Sequence, residues 1–217
     1  MTIKPAWRLA FGAMLLSFAP IMVRATESPP TTSAFYRMLF GGLMLMVYLA
    51  ARRQSLVVGG RVALVLLAAG FAFAFDLFFW HRSIHLIGPG LATLLSGFQV
   101  FILAIVAVLF LGERLRWQIV IAIPTAFLGV ALIIGIDWAA LTEGYRMGIV
   151  FGLATALCYS SYLLIMRWLR VNDRSGVTPM VEVAWASLAC AAVLAIASMV
   201  TGESLAIVRG SEAFLLV

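Results

Sequence analysis

Several side chains that could carry chemistry lie within one apolar stretch. The segment from Phe71 to His85 reads FAFAFDLFFWHRSIH, so it places Asp76 among phenylalanines and His81, Arg82 and His85 shortly after it. His81 and His85 are four residues apart, which is metal-ligand spacing on a helix, but no acidic third ligand is near them in sequence. The sequence favours the other interpretation, in which both histidines lie at the polar end of a helix beside Arg82. Asp76 has to be explained by the elements around it.

The composition places those elements in a bilayer. Hydrophobic residues make up 64% of the chain and charged residues only 11%, with a mean hydropathy of +1.10, which excludes an ordinary soluble domain. A membrane-spanning helix needs about 20 mostly apolar residues. Seven runs meet this requirement and are predicted to span: Trp7–Thr26, Thr31–Ala51, Val62–Arg82, Gly88–Leu111, Arg116–Ile136, Met147–Trp168 and Pro179–Val200. An eighth run begins at about Ala213 and stops at Val217, so we expect the sequence to be incomplete at this end.

The predicted fold class is all-α, a polytopic helical membrane protein, because the runs are too long and too uniformly apolar for an alternating barrel pattern. The loops between the runs are short, and none could fold as a soluble domain. Cys158 and Cys190 lie far apart inside predicted helices, which suits neither a disulfide framework nor a zinc site. No hydrolase, kinase or dinucleotide-binding motif is present. We therefore expect neither an enzyme, nor a metal, nor a cofactor.

The net charge of +6 would suggest nucleic acid in a soluble protein, but here the charges follow topology. Ten basic residues fall on one side of the predicted membrane: Lys4, Arg8, Arg52, Arg53, Arg61, Arg114, Arg116, Arg167, Arg170 and Arg174. Four fall on the other side: Arg24, Arg82, Arg146 and Arg209. The positive-inside rule then places the amino terminus in the cytosol, and no nucleic-acid partner is expected.

Arg37 and Asp76 are the charges that lie within predicted spans. Each is six residues, or about 9 Å, from the predicted outer end of its helix, Thr31 or Arg82. A lone ion at this depth costs about 2.5 to 3.5 kcal/mol on insertion scales, so the matched depths predict a paired site at the rim of a cavity. The alternative is that Arg37 extends outwards to the interface while Asp76 faces water.

Other polar residues extend this candidate site. Steps of three or four residues place Ala69, Ala72, Asp76, Trp80 and Ser83 on one stripe of the third predicted helix. Helix packing through small residues explains such a stripe about equally well. Polar residues near the middle of the fourth and sixth helices complete the predicted substrate cavity, which comprises Arg37, Asp76, Trp80, Ser83, Ser96, Gln99, Tyr159 and Tyr162.

Two segments are faintly alike. FGAMLLSFAPIMVR (Phe11–Arg24) and FGLATALCYSSYLLIMR (Phe151–Arg167) share their opening FG and a terminal arginine. Five predicted helices separate their starts, and this odd number gives the second segment the opposite orientation in the membrane. Inverted repeats of this kind are typical of secondary transporters.

The sequence also resembles a known family. The run Ala92–Ile133, which contains LGERL, is similar to the helix 4 to helix 5 segment of EamA-type transporters of the drug/metabolite transporter superfamily. SAFYRMLFGGLML, with Arg37, resembles the second helix of that family, and FWHRSIHLIGPGLATLL resembles the connection of its third and fourth helices. The resemblance implies ten helices in two inverted five-helix repeats around a central cavity. Residues 1–136 would form the first repeat and 137–217 part of the second.

Together these features predict a secondary transporter that exports or exchanges small organic metabolites by alternating access. We expect it in the bacterial inner membrane, with a small-molecule substrate and the lipid bilayer as partners and a homodimer as a possible assembly. The alternative is a seven-helix receptor or scaffold without transport activity. We also expect these 217 residues to insert into a membrane without transporting, because a half-complete second repeat leaves the cavity without a wall.

Overall fold

The computed structural model describes residues 3–26, 28–112, 117–135, 141–173 and 176–205, and within these ranges it contains helices and no strands. The predicted all-α fold class is confirmed. The helices are α1 (Ile3–Ala25), α2 (Pro30–Ala51), α3 (Gly60–Ile87), α4 (Pro89–Ser96), α5 (Gln99–Leu111), α6 (Trp117–Ile134), α7 (Glu143–Asn172) and α8 (Pro179–Thr201).

Five stretches are long and apolar enough to cross a membrane: Pro30–Ala51, Gly60–Ile87, Pro89–Phe110, Glu143–Asn172 and Pro179–Thr201. Shorter apolar stretches at Ala10–Ala25 and Trp117–Ile133 belong to α1 and α6. Each of the seven predicted spans therefore has a helical counterpart. The eighth predicted run, from Ala213, lies outside the described residues.

The fourth predicted span is not one helix. It was expected to run unbroken from Gly88 to Leu111, whereas the structure divides it into α4 and α5 at Gly97 and Phe98. Here the amides of Val100 and Phe101 bond to carbonyls three residues back, at 3.2 and 3.0 Å. These are tighter 3₁₀-type turns, which need only a small backbone change and leave the span's hydropathy unaltered. Hydropathy therefore could not reveal the break.

α3 is longer than predicted at both ends. Its 28 residues from Gly60 to Ile87 correspond to about 42 Å, against a hydrocarbon core of about 30 Å. The prediction ended at Arg82 because charge usually marks the end of a span. The helix continues for more than a turn beyond that charge, to Gly88, whose φ of 85° favours glycine and ends the helix.

Glycines bring the helices of the bundle close together. α3 packs mainly against α7 and α8, and α2 packs mainly against α8. A Cβ built at Gly70 of α3 would lie 2.5 Å from the Ala189 Cβ of α8. On α7, a Cβ at Gly148 would lie 2.5 Å from Ile87, and one at Gly152 would lie 2.8 Å from Leu95. Small residues at such contacts allow the van der Waals packing that associates helices in lipid.

The two ends of this bundle are distinct. At the end that we call the Arg82 end, Arg82 of α3 forms an ion pair with Glu203 just after α8, and the Thr31 amide of α2 donates to Glu203 at 2.9 Å. At the opposite end, the Arg170 end, Arg170 of α7 pairs with Glu182 of α8 at 2.8 Å. In the described part of the chain, contacts at each end of the bundle join helix ends that the charge pattern assigns to the same side. These are the ends of α2, α3 and α8 at the Arg82 end, and of α2, α7 and α8 at the Arg170 end.

Candidate functional site

Arg37 lies on α2, half-buried, and faces the aromatic ring of Trp80 on α3. Its Cζ atom is 5.6 Å from the ring centroid, a distance at which a guanidinium is attracted to the face of an indole. Arg37 is also within electrostatic reach of Asp76. Arg37, Asp76 and Trp80 therefore lie in one neighbourhood.

Asp76 is buried in α3, with 6% of its surface exposed. Its backbone carbonyl accepts a hydrogen bond from Thr155 Oγ1 of α7 at 3.3 Å. Among the residues that the structure describes, none donates a hydrogen bond to its carboxylate. Arg37, Cys158, Tyr159 and Cys190 are within electrostatic reach, so three helices surround this carboxylate.

The expected direct ion pair between Arg37 and Asp76 is not formed in the described part of the chain. The predicted depth of Asp76 was counted from Arg82 as the end of the helix, but α3 ends only at Ile87. Asp76 therefore lies eleven residues, about 16 Å, from the end of its helix, whereas Arg37 lies seven residues, about 10 Å, from the start of α2 at Pro30. Trp80, one turn nearer the Arg82 end than Asp76, takes the place opposite the guanidinium.

Aromatic rings extend the site towards the Arg170 end. Phe73 of α3 stacks on Tyr162 with centroids 4.6 Å apart, and Tyr159 stacks on Tyr162 at 5.8 Å. Tyr162 is mostly buried in a cluster with Leu66 and Leu169, whereas Tyr159 is less buried. Phe73 was not among the predicted site residues. Its position three residues before Asp76 on the same helix is the signal that would have identified it.

Ser83, Ser96 and Gln99 hold helices rather than converge on Asp76. Ser83 Oγ donates to the Gly148 carbonyl at 2.8 Å and is fully buried between α3 and α7. Ser96 Oγ donates to the Thr93 carbonyl of its own helix at 2.8 Å. At Gln99 it is the backbone carbonyl that accepts a bond, from Ser160 at 3.3 Å. The bond of Ser83 agrees with the packing interpretation of the stripe on α3, and the bond between Ser160 and Gln99 likewise joins two helices, whereas the bond of Ser96 stays within its own helix.

The two histidines differ in their environments. His81 is fully buried and its Nδ1 donates to the Leu77 carbonyl at 2.8 Å, so it does not occupy the polar helix end expected for it. His85 is half-buried, and its backbone carbonyl accepts a bond from Arg24 at 2.8 Å. Among the described residues, no group of three or more histidine, cysteine or acidic side chains is placed to hold a metal ion.

Two grooves run along α8, and neither is lined by Arg37 or Asp76. One of 720 Å³ is lined by apolar residues of α3, α8 and the loop before α3, including Leu56, Leu66 and Trp185. Another, of 320 Å³, lies nearer the Arg82 end beside Phe75 and Val193. Their walls are almost wholly apolar, which suits lipid chains better than a polar metabolite. The polar cluster therefore defines the candidate site.

The cluster offers three kinds of contact in one place. Arg37 supplies a cation, Asp76 supplies a carboxyl group without a hydrogen-bond donor among the described residues, and the aromatic rings supply flat apolar surface. Ionisable residues inside a membrane bundle mark substrate or ion pathways because isolated charges there are costly. This arrangement can bind and position a small polar molecule, and it lacks the activated nucleophile that a hydrolytic site requires.

The helices and this buried polar cluster define the chain as a polytopic helical membrane protein. Residues 6–135 match the family described as the EamA-like transporter family, and the chain belongs to that family. It is therefore a membrane transporter of the drug/metabolite transporter superfamily.

A solved structure, described as the crystal structure of a protein, is similar to this chain, with a TM-score of 0.66 and 23% sequence identity. The similarity covers 99% of this chain and 73% of that chain. That likeness shows the fold alone. Comparison with curated proteins gives no match.

Proposed function

We propose that this protein is a secondary transporter that exports or exchanges small organic metabolites by alternating access. The observation that carries the proposal is the position of Arg37 and Asp76, which lie inside the bundle, are close in space and are not joined by an ion pair. A guanidinium and a carboxyl group held apart leave each able to interact with a substrate group. A purely structural pair would gain more from direct contact.

The site residues proposed are those of the sequence analysis, in two groups. Arg37, Asp76, Trp80, Tyr159 and Tyr162 contact or lie near one another and are proposed to bind the substrate. Ser83, Ser96 and Gln99 are proposed to shape the walls by fixing backbone positions. We further propose that residues 1–136 and 137–217 belong to two inverted repeats. Packing of α2 and α3 on α7 and α8 supports a site shared between the two units.

Flux in sealed vesicles tests the proposed function. Purified protein would be reconstituted and loaded vesicles screened over amino acids, nucleosides and organic cations, with time-resolved release and counterflow measured for each. Saturable flux of one class, accelerated by substrate on the opposite side, would support the proposal and would overturn the expectation that these 217 residues insert without transporting. Vesicles containing the Asp76→Asn variant are the matched control. Equal flux through the variant and the native protein for every substrate would contradict the proposed site.

A further inference from the structure

Ion pairs hold α8 at both of its ends, and they join it to two different helices. Glu203, just beyond α8, pairs with Arg82 of α3 at the Arg82 end. Glu182, in the first turn of α8, pairs with Arg170 of α7 at 2.8 Å at the Arg170 end. A tilt that carries one end of α8 away from its partner therefore breaks one pair without requiring the other to break.

The attachment at the Arg82 end includes the start of α2. The first turn of α2 contains no acidic residue and its own N-cap forms no side-chain bond. Glu203 instead accepts from the Thr31 amide at 2.9 Å, which places a carboxylate at the positive end of that helix. The next two residues continue the contact, since the Ser204 and Leu205 carbonyls accept from Thr32 and Tyr36 at 2.7 and 2.9 Å.

The attachment at the Arg170 end uses other groups. Glu182 is 1% exposed, while the Arg170 side chain that pairs with it is 39% exposed. Nearby, Thr178 donates to the Gln54 side chain at 3.3 Å and the Trp185 indole donates to the Leu56 carbonyl at 3.0 Å. These bonds involve the exposed loop between α2 and α3. Water can therefore replace the partners of Arg170, Thr178 and Trp185 if this end moves.

The middle of α8 is the part that is held most closely. A Cβ at Gly70 would lie 2.8 Å from the Ala186 carbonyl oxygen and 2.9 Å from the Cys190 amide, so the α3 backbone touches the α8 backbone there. On the α2 side, a Cβ at Gly42 would lie 2.9 Å from Leu188. The backbones approach most closely at this level, whereas above and below it α8 packs through side chains such as Leu194 and Val181. Side chains can change rotamer as a helix tilts, while backbone contact fixes the level about which it tilts.

We propose that α8 is a lever that tilts about its contact with Gly42 and Gly70, so that the Arg82–Glu203 and Arg170–Glu182 pairs open alternately. The inference rests on the proposed alternating access and specifies the moving part. Asp76 lies within reach of Cys190, at the level of the pivot. Opening either end of α8 would connect the polar cluster to one side of the membrane. Arg82, Glu203 and Arg170 are each partly exposed, so water can solvate these groups when a pair opens.

Two introduced cysteines report on the two ends. In the full chain with Cys158→Ala and Cys190→Ala, Leu194→Cys would lie in one cluster with Ala34 and Leu77 towards the Arg82 end. Leu169→Cys, next to Arg170 on α7, would lie in one cluster with Val62 towards the Arg170 end. The native leucines are 0% and 2% exposed, so reaction with a membrane-impermeant maleimide requires opening. Labelling rates would be measured in sealed vesicles from each side separately, without any substrate.

Removal of one pair should have opposite effects on the two reporters. We expect Glu203→Gln, which keeps an acceptor for Thr31, to raise Leu194→Cys labelling by about fivefold, since exposed pairs contribute up to about 1 kcal/mol. It should lower Leu169→Cys labelling. Glu182→Gln should produce the reverse. Arg82→Gln opens the same pair as Glu203→Gln by a second route and should give the same result.

The matched control is Glu143→Gln, which should alter neither reporter. It neutralises a carboxylate at an exposed position in the first turn of α7. Equal changes at both reporters, or no change at either, would overturn the lever.

Flux measured in the same vesicles separates the two proposals. Reciprocal labelling without flux of any substrate supports the lever and contradicts transport, whereas flux with non-reciprocal labelling contradicts the lever alone.

Discussion

Arg37 and Asp76 illustrate how a single charge can be accommodated inside a helical bundle without a salt bridge. Arg37 lies over the Trp80 ring, an interaction that stabilises a guanidinium by about 0.5 to 2 kcal/mol. Asp76 lies among α2, α3, α7 and α8, with Arg37 as the cation within electrostatic reach. Because Arg37 and Asp76 form no direct ion pair, a polar group of a substrate could contact either side chain without first breaking a bond between them.

Replacing Asp76 by asparagine should separate its binding role from its structural role. Asparagine has nearly the same shape and no charge, so burying it is easier than burying a carboxylate. We therefore expect Asp76→Asn to retain or raise folded yield, and to lower flux by about tenfold or more, which corresponds to about 1.4 kcal/mol of lost interaction. Yield by size-exclusion chromatography and flux in vesicles would be compared.

Thr155→Val provides the control for that prediction. It removes the hydrogen bond from Thr155 to the Asp76 backbone carbonyl but leaves the carboxylate in place. A neutral hydrogen bond contributes about 0.5 to 1.5 kcal/mol, so thermal stability should fall slightly while flux persists. If both variants lost flux equally, the role of Asp76 would be to support the fold of α3 on α7.

At the scale of the helix, glycine spacing determines which helices touch. Gly144, Gly148 and Gly152 repeat every four residues on α7, the small-residue pattern that favours close helix packing in membranes. Gly148 and Gly152 face α3 and α4 closely, whereas a Cβ at Gly144 would meet only Leu86, at 3.8 Å. This glycine repeat is visible in the sequence, and it indicates which face of α7 packs closely.

Alanine substitutions along α7 should therefore differ sharply in effect. Gly148→Ala and Gly152→Ala introduce a methyl group where neighbouring side chains already lie within 2.9 Å, and overpacking of this kind costs about 1 to 3 kcal/mol. Gly144→Ala, on the same helix, has ordinary contact distance and should be neutral. Unfolding temperature in detergent would be measured for all three. Equal shifts would show that α7 adjusts its position freely.

At the scale of the whole molecule, the two ends of the bundle carry different charges. Arg52, Arg53, Arg61 and Arg170 belong to the Arg170 end, and Arg24 and Arg82 to the Arg82 end. The same partition underlies the expectation that the Arg170 end faces the cytosol. Successive loops alternate between the two sides of the membrane, so the number of spans alone was enough to assign each basic residue to one side. The orientation itself remains a prediction.

Introduced cysteines test that orientation. Arg53 and Glu143 are exposed at opposite ends, so Arg53→Cys should react with an impermeant reagent only from the cytosolic side and Glu143→Cys only from outside. Intact cells and inverted vesicles would be labelled in parallel, with permeabilised samples as the positive control. Reaction of the Glu143→Cys variant in inverted vesicles alone would reverse the assignment of the two ends.

Hydropathy predicted the helices well and their contacts poorly, for a physical reason. Apolar runs identify helices because each span satisfies its own backbone hydrogen bonds. The pair of Arg82 with Glu203 depends on the packing of helices 121 residues apart, which no local pattern contains. The position of Trp80 opposite Arg37 could not be predicted either, because the predicted end of α3 at Arg82 was five residues too early. Residue types located the candidate site, and packing determined its geometry.

The contact between Thr31 and Glu203 also bears on how the chain is made. The two residues are 172 positions apart, so α2 leaves the ribosome long before the carboxylate that completes its first turn. α3 likewise waits for α7 and α8, and until they arrive Asp76 lacks the part of its enclosure that these two helices provide. A pause in translation before α7 should therefore increase degradation of nascent native chains more than of Asp76→Leu chains.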